Sequence, residues 1–318
     1  MKSIAILSFF CLSVLGCSPP TLPARPPAAE PPIAENAPIA HRSRIVQSAD
    51  GESLFRQSWV PREGKPRAIV VVHHGLKDYS DRYGPFATQL AGRGIAVFAH
   101  DMRGHGRSAG PRASLPSFDL LVDDLEATIA EARTSYPSIP VFVLGHSVGG
   151  AIVSLYAVER SPSLAGVILL APALRVDRAP IEVAGTPIVA ALTANFPVVD
   201  VPNDAFISDP KQLAAMGSDP FVYQPAGPAS TAGNLLDALG RIWAGAGAVK
   251  VPVLAIHGIH DRATDPRGSA NFIDSIATSD KKLVLFRDAL HDLLHIPEAP
   301  SVYAEIEGWI DAHLAPAH

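Results

Sequence analysis

The chain has 318 residues, of which 47% are hydrophobic and 18% charged, and its formal net charge is −5. That length and apolar content suit one large buried core, and an acidic balance without a basic run gives no expectation of a nucleic-acid partner. Cys11 and Cys17 are the two cysteines, both near the N-terminus, so the body of the chain holds neither a disulfide nor a thiolate metal site.

Lys2 gives a short positive start, followed by an apolar stretch from Ile4 to Leu15. It is shorter than the roughly 20 residues a spanning helix needs but suits the core of a signal peptide. Val14-Leu15-Gly16-Cys17 resembles a bacterial lipobox. Residues 1–17 are therefore expected to be a lipoprotein signal, with Cys17 lipidated and holding the protein at a membrane of the cell envelope. Ser18 in place of aspartate after the cysteine resembles the outer-membrane type. Between Ser18 and Ala40, eight of 23 residues are proline, so residues 18–40 read as a semi-rigid tether with a reach of about 70 Å.

A folded domain is expected over residues 41–318. Two short strands, Arg44–Gln47 and Leu54–Trp59, flank an Asp50-Gly51 turn. Ala68–His73 and Ile95–His100 are continuous β-branched or apolar runs, as expected of strands buried on both faces. Helices are expected over Tyr83–Arg93 and Phe118–Tyr136, the second stopped by Pro137. Then come strand Val141–Leu144, helix Gly149–Glu159 and strand Gly166–Leu170. After a long interval, Val253–His257 and Leu283–Phe286 read as further buried strands, and a last helix covers Ser301–His313. This alternation predicts an α/β fold with a mainly parallel sheet and helices on both faces. The interval of about 173–248 far exceeds one crossover and is expected to form a helical cap, with helical pieces at Ile188–Leu192 and Leu235–Trp243.

Gly145-His146-Ser147-Val148-Gly149 fits G-x-S-x-G, and it lies between a strand and a helix, the context in which that pattern presents a nucleophile. The turn lifts the Ser147 hydroxyl above the sheet, and the helix offers its N-terminal N–H groups, Val148 first, to a developing oxyanion. A serine nucleophile needs a base, and the base an orienting carboxylate, here in the order Ser, Asp, His. Asp261 follows the strand VPVLAIH and His291 follows the last strand. Asp265 and His295 are rivals, less favoured because they lie farther from the strand ends. The second oxyanion donor is expected from the loop after AIVVVH, with Leu76 N–H the best placed. The pairs His73/His74 and His257/His260 invite a zinc reading, but a hydrolytic zinc site needs three converging ligands. Neither a metal nor a cofactor is implied. Asp101–Ser108 (DMRGHGRS) reads as a scaffolded turn.

Five segments, HHGLKDYSDRY, FAHDMRGHGRSAG, VFVLGHSVGGAI, IHGIHDRATD and DALHDLLHIPE, together resemble the monoacylglycerol lipase and lysophospholipase group of α/β-hydrolases, of the serine aminopeptidase S33 type. Ser218-Asp219-Pro220 adds to the likeness, which spans about Arg44 to Leu314. The resemblance implies the α/β-hydrolase fold, Ser147 as nucleophile, Asp261 as acid, His291 as base, Leu76 and Val148 as oxyanion donors, and Asp78 with Arg82 as a charged pair beside the entrance loop. Lys77 stands where glycine is common in the family and Tyr79 where histidine is common. Ala263-Thr264 replaces a more apolar pair.

The expected activity is serine-dependent hydrolysis of a small lipid ester through an acyl-enzyme. Leu192, Phe196, Phe206, Phe221, Tyr223, Leu235, Leu236 and Trp243 supply material for an apolar pocket, or for gluing the cap to the body. Asp177, Glu182, Asp200 and Asp204 keep an aminopeptidase reading open. A non-catalytic envelope binding protein is the alternative from a different class, and the intact Ser-Asp-His set argues against it.

Overall fold

The computed structural model describes residues 21–22, 38–176, 197–199 and 201–314. The lipobox with Cys17, most of the proline-rich stretch, the helical piece expected at 188–192, and Asp177, Glu182, Leu192, Phe196 and Asp200 lie outside the described residues.

Among the described residues, twelve strands occur in chain order: β1 (Thr21–Leu22), β2 (Ile39–Gln47), β3 (Ser53–Pro61), β4 (Ala68–His73), β5 (Ile95–His100), β6 (Gly110–Pro111), β7 (Val141–His146), β8 (Gly166–Leu170), β9 (Pro197–Val199), β10 (Gly227–Pro228), β11 (Val253–Gly258) and β12 (Lys281–Phe286). Eight of them form one sheet in the order β12-β11-β8-β7-β4-β5-β3-β2. Pairing is parallel from β12 through β5, while β3 runs antiparallel to both β5 and β2. The β2–β3 hairpin starts at Ile39 and is longer than the two short strands expected, because its register continues from Gln47↔Ser53 back to Ile39↔Pro61.

Every residue of β4, β5, β7, β8 and β11 is buried, which is what their unbroken apolar runs require. Alternate residues feed two cores. Val71, Val143 and Leu169 face a layer built by α2 (Phe118–Ser135), α3 (Val148–Arg160) and a later helix, with Leu125, Ile129, Ile152 and Leu155 at its centre. Val70, Val72, Leu144 and Ile168 face α1 (Gly84–Gly92) and the last helix, with Phe86, Leu90, Val302 and Ile306. The expectation of a doubly buried last strand needs correction. β12 is the sheet edge, none of its residues is fully buried, and Leu285 is 47% exposed.

The described part of the interval between β8 and β11 divides in two. Helices α4 (Asn203–Phe206) and α5 (Pro210–Ser218) belong to a small apolar cluster made by Phe206, Ile207, Met216 and Val222 with Tyr79. Helix α6 (Ala229–Gly245) instead packs its Leu235, Ala238, Leu239 and Ile242 into the same core as α3. Trp243 donates its indole N–H to Leu174 O at 3.1 Å. Leu235, Leu236 and Trp243 therefore glue this helix to the body. Helices α7 (Pro266–Ser275) and α8 (Ala299–Ala312) complete the layers. Among the described residues no helix is long and apolar enough to cross a membrane.

Past β5, the Asp101–Ser108 turn is held by its own charges. Buried Asp101 accepts N–H groups from Ser80 at 2.7 Å and Arg107 at 2.8 Å, and Arg103 pairs with Asp124 at 2.6 Å. The chain then reaches β6, where Gly110 and Pro111 pair antiparallel with Leu22 and Thr21 of β1.

Candidate active site

Ser147 ends the turn between β7 and α3 with φ 54° and ψ −121°, a conformation that strains any residue with a Cβ. The strain is imposed from both sides. Ser147 N–H donates to Leu170 O at 3.0 Å, and its carbonyl accepts Ala173 N–H at 2.8 Å, so both sides of the residue are tied to the end of β8 and the loop after it. The glycines are needed for close approach. A Cβ at Gly145 would lie 2.5 Å from Gly149 O, and one at Gly149 would collide with the carbonyl oxygens of His73 and His74. Val148 is the first residue of α3, so its N–H has no acceptor within the helix. Leu76 follows Gly75, whose Cα lies so close to the serine that an added Cβ would sit 2.9 Å from Ser147 Cβ. The loop carrying Leu76 therefore passes beside the elbow carrying Ser147 and Val148.

Asp261 and His291 meet where the loops after β11 and β12 converge. His291 Nδ1 lies 2.7 Å from Asp261 Oδ2, and both side chains are fully buried. With Nδ1–H donating to the carboxylate, Nε2 is left with its lone pair, and it is buried with no hydrogen-bond partner. Its neighbourhood is that of Ser147: His146, one residue before it, lies tilted at 4.8 Å from the His291 ring and donates Nε2–H to His291 O at 3.3 Å. From the segment between β8 and β11 the Phe206 ring stands edge-on to His291 at 5.0 Å. The rivals are occupied elsewhere. Asp265 caps α7 and pairs with Arg175 at 2.9 Å and with Arg267, while His295 holds Asp292 at 2.8 Å.

The Asp261 carboxylate collects five donors. Oδ1 accepts the N–H groups of Ala263 and Thr264, at 2.7 and 2.9 Å. Oδ2 receives His291, His257 Nε2 at 2.9 Å and the Thr264 hydroxyl at 2.9 Å. Burial alone would raise its pKa, but the imidazoles of His291 and His257 and the Thr264 N–H outweigh it and hold the carboxyl well below the usual range. Asp78 and Arg82 do form an ion pair, at 2.8 Å, and Arg82 also reaches Asp292 at 2.8 Å. Burial opposes ionisation of Asp292 too, yet His295 and Arg82 hold it far below the ordinary carboxylate value. His146 is pushed down to about 4 by its burial and by the neighbouring His291, so it is neutral at pH 7.

Sequence reasoning did not find His257 as a partner of Asp261 or His146 as a neighbour of His291. The spacing of four residues between His257 and Asp261 is a weak signal, because it joins a strand end to a loop and follows no regular period. The zinc reading of the histidine pairs meets other uses for the rings. His74 donates Nδ1–H to Gly75 O at 2.7 Å and accepts Met102 N–H at 2.8 Å, while His260 is exposed. Beside Asp261 a cavity of about 880 Å³ opens, with apolar Leu174, Val176, Leu239 and Trp243 and charged Arg262 and Arg267 in its wall.

Residues 64–298 match the family described as Serine aminopeptidase, S33. The chain is 32% identical over 266 residues to the monoacylglycerol lipase of Mycolicibacterium smegmatis, covering 83% of this chain and 95% of that one. It is also 32% identical to the human monoglyceride lipase, over 85% of this chain and 90% of that one. The crystal structure of Paleococcus ferrophilus monoacylglycerol lipase superimposes with a TM-score of 0.70 at 26% identity, covering 82% of this chain and 99% of that one. With a mostly parallel eight-stranded sheet and a serine elbow between strand and helix, the chain belongs to the serine aminopeptidase S33 family of α/β-hydrolases and is a serine hydrolase of the lipase and esterase type.

Proposed function

We propose that the protein hydrolyses monoacylglycerols or similar small acyl esters by an acyl-enzyme route, with Ser147, His291 and Asp261 as nucleophile, base and acid. The observation that carries this reading is the buried Asp261–His291 pair, whose free Nε2 lies in the neighbourhood of a strained serine elbow. His291 takes the hydroxyl proton as Ser147 attacks the ester carbonyl. The N–H groups of Leu76 and Val148 hold the oxyanion, and His291 returns the proton to the leaving alcohol. Water then repeats the sequence on the acyl-enzyme. Asp261 fixes the tautomer with Nδ1–H and stabilises the imidazolium. The lipid-ester substrate is supported by the names of the relatives from Mycolicibacterium smegmatis and human.

The test is turnover of a panel: p-nitrophenyl esters of graded acyl length, 1-monoacylglycerol, lysophosphatidylcholine and alanine p-nitroanilide, each with Ser147→Ala as control. Serine-dependent turnover of the glyceride and the medium-chain esters is the expected result. The family description, Serine aminopeptidase, is the observation favouring a second reading, and turnover of the anilide alone would establish that one instead.

The Val14-Leu15-Gly16-Cys17 sequence supports a further proposal, lipid anchoring through Cys17 in the bacterial envelope. Incorporation of labelled palmitate into the wild type, lost in Cys17→Ser, is the expected outcome. Equal labelling of both would sink it.

A further inference from the structure

Asp261 Oδ2 is shared by two histidines. His291 approaches it from the loop after β12 at 2.7 Å, and His257 approaches from the end of β11 at 2.9 Å. The His257 side chain is fully buried, as is that of Asp261, so this carboxylate relies on protein donors rather than on solvent. On its far edge, His257 Nδ1 lies 2.7 Å from the hydroxyl of Ser269, itself fully buried in α7. An Nε2 facing a carboxylate at that distance carries its proton there, so Ser269 donates to Nδ1. A directed chain results: Ser269 O–H to His257, His257 N–H to Asp261, with His291 N–H meeting the same oxygen from the other side.

We infer that His257 is a positioning residue for the Asp261–His291 pair, a second imidazole donor that fixes the carboxylate and draws off part of its charge. The inference rests on the proposed serine-hydrolase roles of Asp261 and His291. Two consequences follow from the geometry. With His257 present, Oδ2 is held between two rings from different strand ends, so the oxygen facing His291 cannot swing with rotation of the Asp261 side chain. With His257 absent, less of the carboxylate charge is neutralised, and the remaining charge favours the imidazolium form of His291. The titratable groups meeting at Oδ2 are His257 and His291, Thr264 and Ser269 contribute uncharged hydroxyls, and His146 lies against the His291 ring.

The test compares the full-length wild type with His257→Leu, His257→Gln and Ser269→Ala. Hydrolysis of a p-nitrophenyl ester is followed from about pH 5 to 9, with thermal unfolding as the check of folding. His257→Leu is expected to lower kcat roughly 10-fold with KM changed less than about twofold, and to move the acid limb of the kcat/KM profile to higher pH. Glutamine, whose amide N–H reaches the place of Nε2–H, restores both. A folded His257→Leu protein with wild-type kcat and an unmoved acid limb overturns the inference, as does a glutamine variant no better than leucine. Should the leucine variant not fold, Ser269→Ala decides: a kcat lowered several-fold with a shifted limb supports the chain, and wild-type behaviour overturns it. A wild type that neither turns over the ester nor is labelled at Ser147 by a fluorophosphonate removes the serine-hydrolase reading instead, before any variant is compared.

Discussion

Tyr79 donates its hydroxyl hydrogen to Asp219 Oδ2 at 2.7 Å, tying the loop after β4 to the segment between β8 and β11. Its ring lies 5.4 Å from Phe221, against which Arg107 stacks at 4.5 Å. Two residues earlier, Lys77 takes a left-handed φ of 63° and sends Nζ to the carbonyls of Val201 at 3.3 Å and Gln224 at 3.2 Å. Both residues fasten the same segment. Tyr79→Phe is expected to lower stability by about 1 kcal/mol. A double-mutant cycle with Asp219→Ala should give a coupling energy of similar size. Additive losses in denaturant melts would show that the two do not act together.

The elbow makes a prediction about stability against activity. Ser147 holds φ 54°, which glycine adopts freely and a residue with a Cβ adopts only under strain. Ser147→Gly and Ser147→Ala should both be inactive, but the glycine protein should be the more stable by about 1 kcal/mol. Equal melting temperatures would mean that the turn stores no strain.

Gly149 is the opposite case, a position where a methyl group cannot fit. Its added Cβ would overlap the carbonyl oxygens of His73 and His74, which lie in the same stretch as Gly75 and Leu76. Gly149→Ala should therefore cost about 2 kcal/mol or more and disturb the proposed oxyanion donors. The expected kinetic signature is a fall in kcat larger than any rise in KM. A variant with wild-type kinetics and melting temperature would refute the steric argument.

Buried histidines set the acid limit of stability. Burial, reinforced by the neighbouring His74, holds both His73 and His105 down to about 3, and burial with His291 holds His146 to about 4. An unfolded imidazole titrates near 6.5, so below that pH the unfolded chain binds more protons and folding loses free energy as pH falls. The melting temperature should decline from about pH 6.5 downward, before ordinary carboxylates titrate. His295 works in the other direction. Burial alone would lower it, but Asp292 outweighs burial and raises it, so its contribution is present below the unfolded value and lost as pH rises through the raised one. A melting temperature flat from about pH 7 to 4.5 would contradict the first part.

The sheet was legible because burial on both faces demands unbroken apolar runs, and β4, β5 and β11 carry them plainly. The elbow was legible because sterics restrict Gly145 and Gly149, and chain order singled out the carboxylate and imidazole that the structure joins by a hydrogen bond. β12 misled because an apolar run also suits an edge strand covered on one face. The interval before β11 had no single period, so nothing in it separated α6, which belongs to the body, from α4 and α5, which lie with Tyr79. His257 was read only as a possible ligand, since its pairing with Asp261 four residues on depends on how the chain turns after β11, which follows no regular period.

The short pairing of β1 with β6 changes the mechanics of an anchored form. β6 lies in the loop that leaves the C-terminal end of β5, the same end of the sheet from which the Ser147 elbow leaves β7. Cys17 precedes Thr21 by four residues, a span of at most about 14 Å when extended. A lipid on that cysteine would hold the domain on a short leash fastened at the catalytic face, so that the mouth of the site would sample the bilayer surface at high effective concentration rather than sweep the wide volume a free proline-rich stalk would allow.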